Sequence, residues 1–152
     1  MSFKLQFYTT LRLPFTTILA QTSDDLEVGP HIRVLVVEDS EDIRTLLEEL
    51  LEAEGYNLVF ATNGEEGLEK AKREHPDIIL MDLSLPGMDG WETVYRLRQL
   101  AEFKTTPVIA LTAHATRKDE ERALAAGCTG YISKPFDMEN LLNYIASFVT
   151  KN

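Results

Sequence analysis

The chain of 152 residues is poor in several things that would each imply a function. It has one cysteine, Cys128, so no disulfide can form within it. A reducing, cytoplasmic setting is the expectation. No run approaches the roughly 18 uncharged apolar residues of a membrane span. Basic residues are also scarce: 15 Lys and Arg stand against 25 Asp and Glu, a formal net charge of −10. Phosphate backbones and anionic lipid surfaces both call for a basic face, which argues against direct binding to nucleic acid or to a membrane. Three histidines, His31, His75 and His114, are too scattered in sequence to form a metal site. No repeat or low-complexity tract is present. What remains is an acidic chain of ordinary composition, long enough for one domain with a real core.

The first 30 residues stand apart. Lys4 and Arg12 precede "LPFTTILA" (13–20), which loosely resembles a secretion signal. The apolar part is short, holds two threonines and a proline, and lacks a clean small-x-small end. It reads better as a flexible N-terminal extension, or as a segment that docks on the domain or a partner. "TSDDLEVGP" (22–30) is a polar linker into a folded part at 31–152.

From residue 31 two periodicities alternate. "HIRVLVV" (31–37) is a near-continuous β-branched run, as in a parallel strand covered on both faces. Ser40 is placed to cap a helix with an apolar stripe of Ile43, Leu46, Leu47, Leu50 and Leu51, closed by Gly55. "YNLVFA" (56–61) is a second strand. Asn63 and Glu66 have the spacing of a capping box for a helix over 64–74, stopped by Pro76. "DIILM" (77–81) is a third strand, and Asp89 with Glu92 repeats the box for a helix over 90–102 that turns Trp91, Val94 and Leu97 inward. "TPVIALT" (106–112), a helix over 116–126 ended by Gly127, and "TGYIS" (129–133) follow. Asp137 caps a last helix with Met138, Leu141, Leu142, Ile145 and Val149 on one side. The pattern is (βα)5, which predicts an α/β doubly wound parallel five-stranded sheet with right-handed crossovers, in strand order 2-1-3-4-5.

In such sheets ligands gather at the carboxyl ends of the strands, where the order reverses. Here that point lies between strands 1 and 3. Glu38 and Asp39 follow strand 1, and Asp82 follows strand 3. Thr112 ends strand 4 and Lys134 follows strand 5. Three carboxylates crowded together disfavour one another's ionisation, and a hard divalent cation, Mg²⁺ or Mn²⁺, relieves the strain. Carboxylates, a cation, an ammonium and a hydroxyl around one point suit phosphoryl transfer, with Asp82 as nucleophile. Taken singly, each residue is as well explained as a cap, a turn former or a surface charge; it is their joint placement that carries the reading. Glu41, Asp42 and "RKDEER" (117–122) read as solvated helix faces, and Cys128 as a small core residue.

These stretches resemble the receiver domain of two-component response regulators. "VLVVEDSEDIR" (34–44) is similar to the family's first strand and acidic pair, "DIILMDLSLPGMDGWE" (77–92) to its phosphoacceptor strand and loop, "PVIALTAHA" (107–115) to the strand ending in the switch hydroxyl, and "GYISKPFD" (130–137) to the aromatic switch and Lys-Pro pair. The resemblance covers about residues 31–150. It implies that Asp82 accepts phosphate from a histidine kinase or a histidine phosphotransfer protein. It also implies that Glu38, Asp39, Asp82 and the Ser84 backbone carbonyl hold Mg²⁺, that Thr112 and Lys134 contact the phosphate, and that Tyr131 changes rotamer. A cis peptide before Pro135 and a partner surface on the fourth helix, fifth strand and fifth helix belong to the same picture. So does a monomer, or a weak phosphorylation-dependent homodimer. Such a domain is a signalling module that catalyses only its own phosphorylation and slow dephosphorylation. Glu38 departs from the more usual Asp, Ser84 and His114 stand where similar proteins tune phosphate lifetime, and the 30-residue extension is outside the pattern. With no output domain after the last helix, the expectation is a stand-alone receiver acting through protein partners.

Two other classes compete, one that also uses a strand-end Asp nucleophile and one that shares this topology. A Mg²⁺-dependent phosphatase of the haloacid-dehalogenase type carries a second Asp two residues after its nucleophile, where this chain has Ser84. A flavin or dinucleotide module needs a glycine-rich loop after strand 1, and here that loop is "EDSED", which repels phosphate.

Overall fold

The computed structural model describes residues 31–113 and 116–149. Residues 1–30 and His114, with the expectations stated for them, lie outside the described residues. Five parallel strands form one sheet in the order β2-β1-β3-β4-β5. They are β1 (Arg33–Val37), β2 (Asn57–Ala61), β3 (Ile78–Asp82), β4 (Val108–Thr112) and β5 (Gly130–Ser133). Between and after them run α1 (Glu41–Glu52), α2 (Gly64–Glu74), α3 (Gly90–Gln99), α4 (Arg117–Ala126) and α5 (Met138–Val149). The predicted strand order is observed.

Side chains alternate across each strand and so sort into two layers. Val34, Val36, Ile78, Leu80, Ile109 and Leu111 pack beneath Leu47, Leu51 and Leu141 of α1 and α5. Leu35, Val37, Ile79, Met81, Val108 and Ala110 pack against Ala71, Val94, Leu97 and Ala123 of α2, α3 and α4. Burying one such aliphatic side chain contributes roughly 1.5–3 kcal/mol, well above any intrinsic helix preference, so the two-faced sheet dictates where the helices lie.

The caps follow the sequence closely. Ser40 Oγ accepts the Ile43 N–H, Asn63 Oδ1 accepts the Glu66 N–H, and Asp89 Oδ1 accepts the Glu92 N–H. Asp137 Oδ1 accepts the N–H groups of Glu139 and Asn140. The return half of each capping box is replaced by other contacts. The Glu66 carboxylate accepts the Thr62 hydroxyl at 3.1 Å and pairs with Lys70 at 2.8 Å. Glu92 pairs with Arg96 at 2.7 Å. In both, a cation one turn on offers a charged partner where the box offers only a backbone N–H.

Three further details differ from expectation. Leu46 and Met138, placed on apolar stripes, are 38% and 49% exposed: Leu46 lies at the lateral edge of its stripe, and Met138 is the first residue of its helix. The third helix ends at Gln99, and a 3₁₀ turn, Ala101–Phe103, follows it. The second helix ends on His75 in the left-handed region (φ 49°), one residue before Pro76, so proline is not alone in stopping it.

Candidate functional site

The end of β3 is anchored before its carboxylate is aimed. Asp82 pairs in register with Leu111 of β4, and Val37 of β1 lies beside Met81. Behind Asp82 stands Gly90, the first residue of α3. A Cβ there would lie 2.3 Å from the Asp82 carbonyl oxygen and 2.6 Å from Leu83 Cα, so only glycine lets the helix approach this closely. Gly87, in the loop between, takes φ +70°. The run "LPGMDG" is therefore a backbone device: one glycine turns the chain and the other seats the next helix against the strand end.

Into the crevice between β1 and β3 come the three acids. Glu38, Asp39 and Asp82 each offer an oxygen within 4.8 Å of the others. Glu38 is fully buried, Asp82 is 2% exposed, and Asp39 is exposed. Lys134, after β5, reaches in from the opposite side. Its Nζ lies 2.6 Å from Glu38 Oε1 and 3.4 Å from Asp82 Oδ2. The Lys134–Pro135 peptide is cis, as the resemblance implies. Thr112 is buried at the end of β4, and its carbonyl accepts the Lys134 N–H at 2.6 Å. The Ser84 N–H donates to Asp82 Oδ1 at 2.9 Å. Tyr131, half-buried on β5, packs against the layer formed by α2, α3 and α4. Desolvation and then a hydrogen bond to Glu120 push its phenol above the ordinary value.

Crowding of like charges is a lesser influence than the sequence suggests. Burial is the largest cause pushing the Glu38 carboxyl from 4.5 to about 7, and the Asp82 charge adds to it. The Lys134 ammonium and the Ser40 N–H, which donates to Glu38 Oε2 at 3.1 Å, pull the other way. Three hard oxygen donors with one ammonium among them are under-neutralised, and that donor set fits a small divalent cation. The longer Glu38 arm spans the crevice and reaches both Lys134 and Ser40.

Two residues beyond the expected set shape this site. Arg44 of α1 donates to the carbonyls of Glu38 and Asp39 at 2.8 and 2.9 Å, which fixes the backbone of the acidic pair. A cation a turn and a half after the pair, within the same conspicuous motif, was its only signal in the sequence. Gly90 is the other, and its signal was the second glycine of the loop.

Comparisons with known proteins place the chain that carries this cluster in a family. The profile described as "Response regulator receiver domain" matches residues 34–146. The chain belongs to that family. A receiver of this kind is a signalling domain of two-component systems and not a classical enzyme. The receiver is similar to the polar-differentiation response regulator DivK of Brucella ovis, 41% identical over 116 residues that span 76% of this chain and 94% of the relative. Among solved structures it resembles the chemotaxis response regulator CheY4 of Vibrio cholerae, with TM-score 0.76, 33% identity, and coverage of 79% of this chain and 100% of that one. It also resembles the receiver domain of the sensor histidine kinase PA1611 of Pseudomonas aeruginosa PAO1, with TM-score 0.75 and 32% identity over 80% of this chain and 100% of that one. That structure is described as having a magnesium ion coordinated in its active-site cleft. No helix among the described residues of the receiver is long and apolar enough to cross a membrane.

Proposed function

We propose that the receiver accepts a phosphoryl group on Asp82 from a phosphohistidine of a kinase or phosphotransfer protein, and signals through a protein-binding surface that responds to the modification. The observation that carries this is the aim of Lys134. An ammonium that reaches inward to both Glu38 and Asp82 sits where an arriving phosphoryl oxygen needs a positive charge. An Asp82 carboxylate oxygen attacks phosphorus, a P–O bond forms as the donor P–N bond breaks, and the departing imidazole leaves with its electron pair and takes up a proton. Lys134 neutralises one equatorial oxygen, and the Thr112 hydroxyl donates to another. The Ser84 N–H, already on Asp82 Oδ1, holds the nucleophile's orientation.

Glu38, Asp39, Asp82 and the Ser84 carbonyl are the groups that would hold Mg²⁺. When bound, the ion neutralises acid charge and phosphoryl charge together. The magnesium in the PA1611 neighbour supports the same assignment for this chain. Thr112 moving toward the phosphate would vacate space for Tyr131, so α4, β5 and α5 form the responsive surface and the site for a downstream protein. Residues 31–152 act as the receiver unit in this reading.

The test is labelling with acetyl phosphate and Mg²⁺. Wild-type protein should gain one acid-labile phosphoryl group, and Asp82→Asn should lose at least about a hundredfold of the labelling rate, as expected for removal of a nucleophile. Equal labelling of the two proteins would overturn the assignment.

A further inference from the structure

Arg44 stands near the start of α1, where a cation opposes the helix dipole. Side chains on a helix lean toward its N-terminus, so the Arg44 arm runs back to the chain that feeds the helix. There a single nitrogen, Nη1, uses its two hydrogens on two carbonyls, that of Glu38 at 2.8 Å and that of Asp39 at 2.9 Å. Both belong to residues whose carboxylates reach the crevice.

The two acids depend on this contact unequally. Glu38 is tethered elsewhere as well. Its N–H donates to the Ala61 carbonyl at 2.9 Å, Oε1 accepts from Lys134, and Oε2 accepts the Ser40 N–H. Asp39 is exposed, and among the described residues its carboxylate makes no hydrogen bond or ion pair. Its aim is therefore set through its backbone, and Arg44 is the side chain that grips that backbone. A ligand ordered in advance binds an ion at less entropic cost than one ordered on arrival. The guanidinium charge works the other way, because it repels an incoming cation. Grip and charge thus act on the ion with opposite signs.

We propose that Arg44 is a positioning residue for the cation site: it acts through Asp39, whose backbone it fixes, and this grip outweighs the repulsion that its charge exerts on the ion. The statement rests on the Mg²⁺ assignment above.

The experiment titrates the full chain with Mn²⁺, counting the free ion by its electron paramagnetic resonance signal, with Mg²⁺ as competitor. Arg44 is half-buried, and Arg44→Met keeps its aliphatic stem, so the variant should fold; melting without metal checks this. Loss of the grip should weaken Mn²⁺ binding about tenfold, the lower end of what losing an outer partner costs a metal site. Were charge the dominant influence, the same variant would bind more tightly. Arg44→Lys keeps the charge but ends one bond short of the two carbonyls, so it too should bind more weakly than wild type. It carries the test if Arg44→Met does not fold. In an Asp39→Ala background, Arg44→Met should change Mn²⁺ binding by less than about twofold, since the ligand it positions is gone. The defect in acetyl phosphate labelling should appear as a higher half-saturating Mg²⁺ concentration rather than as an equal fall in the rate at saturating Mg²⁺.

Binding at or above wild-type strength in either Arg44 variant would overturn the proposal and leave the Mg²⁺ assignment standing. So would a loss that persists in full in the Asp39→Ala background. Wild-type and Asp39→Ala chains that take up Mn²⁺ equally would overturn the Mg²⁺ assignment, and this proposal with it.

Discussion

At the carboxyl end of the sheet three acids crowd together, two of them share one ammonium, and burial pushes Glu38 toward neutrality. At the amino end, one half-buried cation meets only partners that suit it. Arg98 of α3 donates to the carbonyls of Gly127 (2.9 Å), Thr106 (2.7 Å) and Phe103, and to the Thr129 hydroxyl. Thr129 Oγ1 in turn accepts the Val108 N–H at the start of β4. Arg33 closes the other side, with its N–H on Asp77 and its guanidinium on the Glu74 carbonyl. The same fold therefore has an end whose polar groups are satisfied internally and an end whose acid charge is under-neutralised, which the proposed function assigns to a cation and a phosphoryl group. Stability is concentrated at the first and chemistry at the second, which substitutions should be able to separate.

The sharpest separation is expected from Asp82→Asn. Beyond its loss of labelling, melting should be unchanged or slightly raised, because a like charge beside Glu38 is removed while an amide oxygen still accepts the Ser84 N–H. Calorimetry alongside labelling checks both. Arg98→Ala should do the reverse. Three carbonyls lose their donor, which costs about 2–4 kcal/mol in denaturant unfolding, while the labelling rate of the folded protein stays within about twofold of wild type. A labelling defect equal to that of a site residue would show that the two ends are coupled after all.

Gly90→Ala is the intermediate case, since that glycine belongs to the site end yet acts through packing. The added carbon meets the Asp82 carbonyl, so about 1–3 kcal/mol of stability should be lost and labelling should slow as well. Retention of both would show that α3 can slide off the strand end at no cost. Smallest in effect is Cys128, which lies beside Arg98. Burial pushes its thiol from 9.0 to about 12. Below pH 9 it carries its proton in both folded and unfolded chains and adds no pH dependence. Between pH 9 and 12 the unfolded chain releases the proton and the folded one keeps it, so stability should fall as pH rises through that window. Iodoacetamide at pH 8.5 should modify it only as fast as the protein unfolds.

Much of this was legible before any coordinates. Period-2 and period-3.6 stretches alternate cleanly, caps stand at the expected offsets, and parallel strands must deliver their carboxyl ends to one side, so Glu38, Asp39, Asp82, Thr112 and Lys134 could be gathered from spacing alone. What stayed hidden depends on long side chains that act at a distance in sequence. Arg98 reaches Gly127 and Thr129, about thirty residues on, and nothing in a helical stripe marks that reach. The run 117–122 reads as solvated, and Arg122 is indeed exposed, yet its guanidinium lies over Trp91. Leu46 and Met138 have the right period yet are exposed, one at the side of its stripe and the other at the start of its helix, and periodicity says which way a residue faces, not how far its support extends.

The parallel arrangement has one more effect. Every group assigned to chemistry hangs from a strand end or the loop after it, while the outward helix surfaces contribute none of them. Natural variation can therefore rewrite the surface that chooses a partner, residue by residue, without touching the reaction that partner would trigger. A lineage that duplicates such a domain can diverge in whom it addresses long before it diverges in what it does.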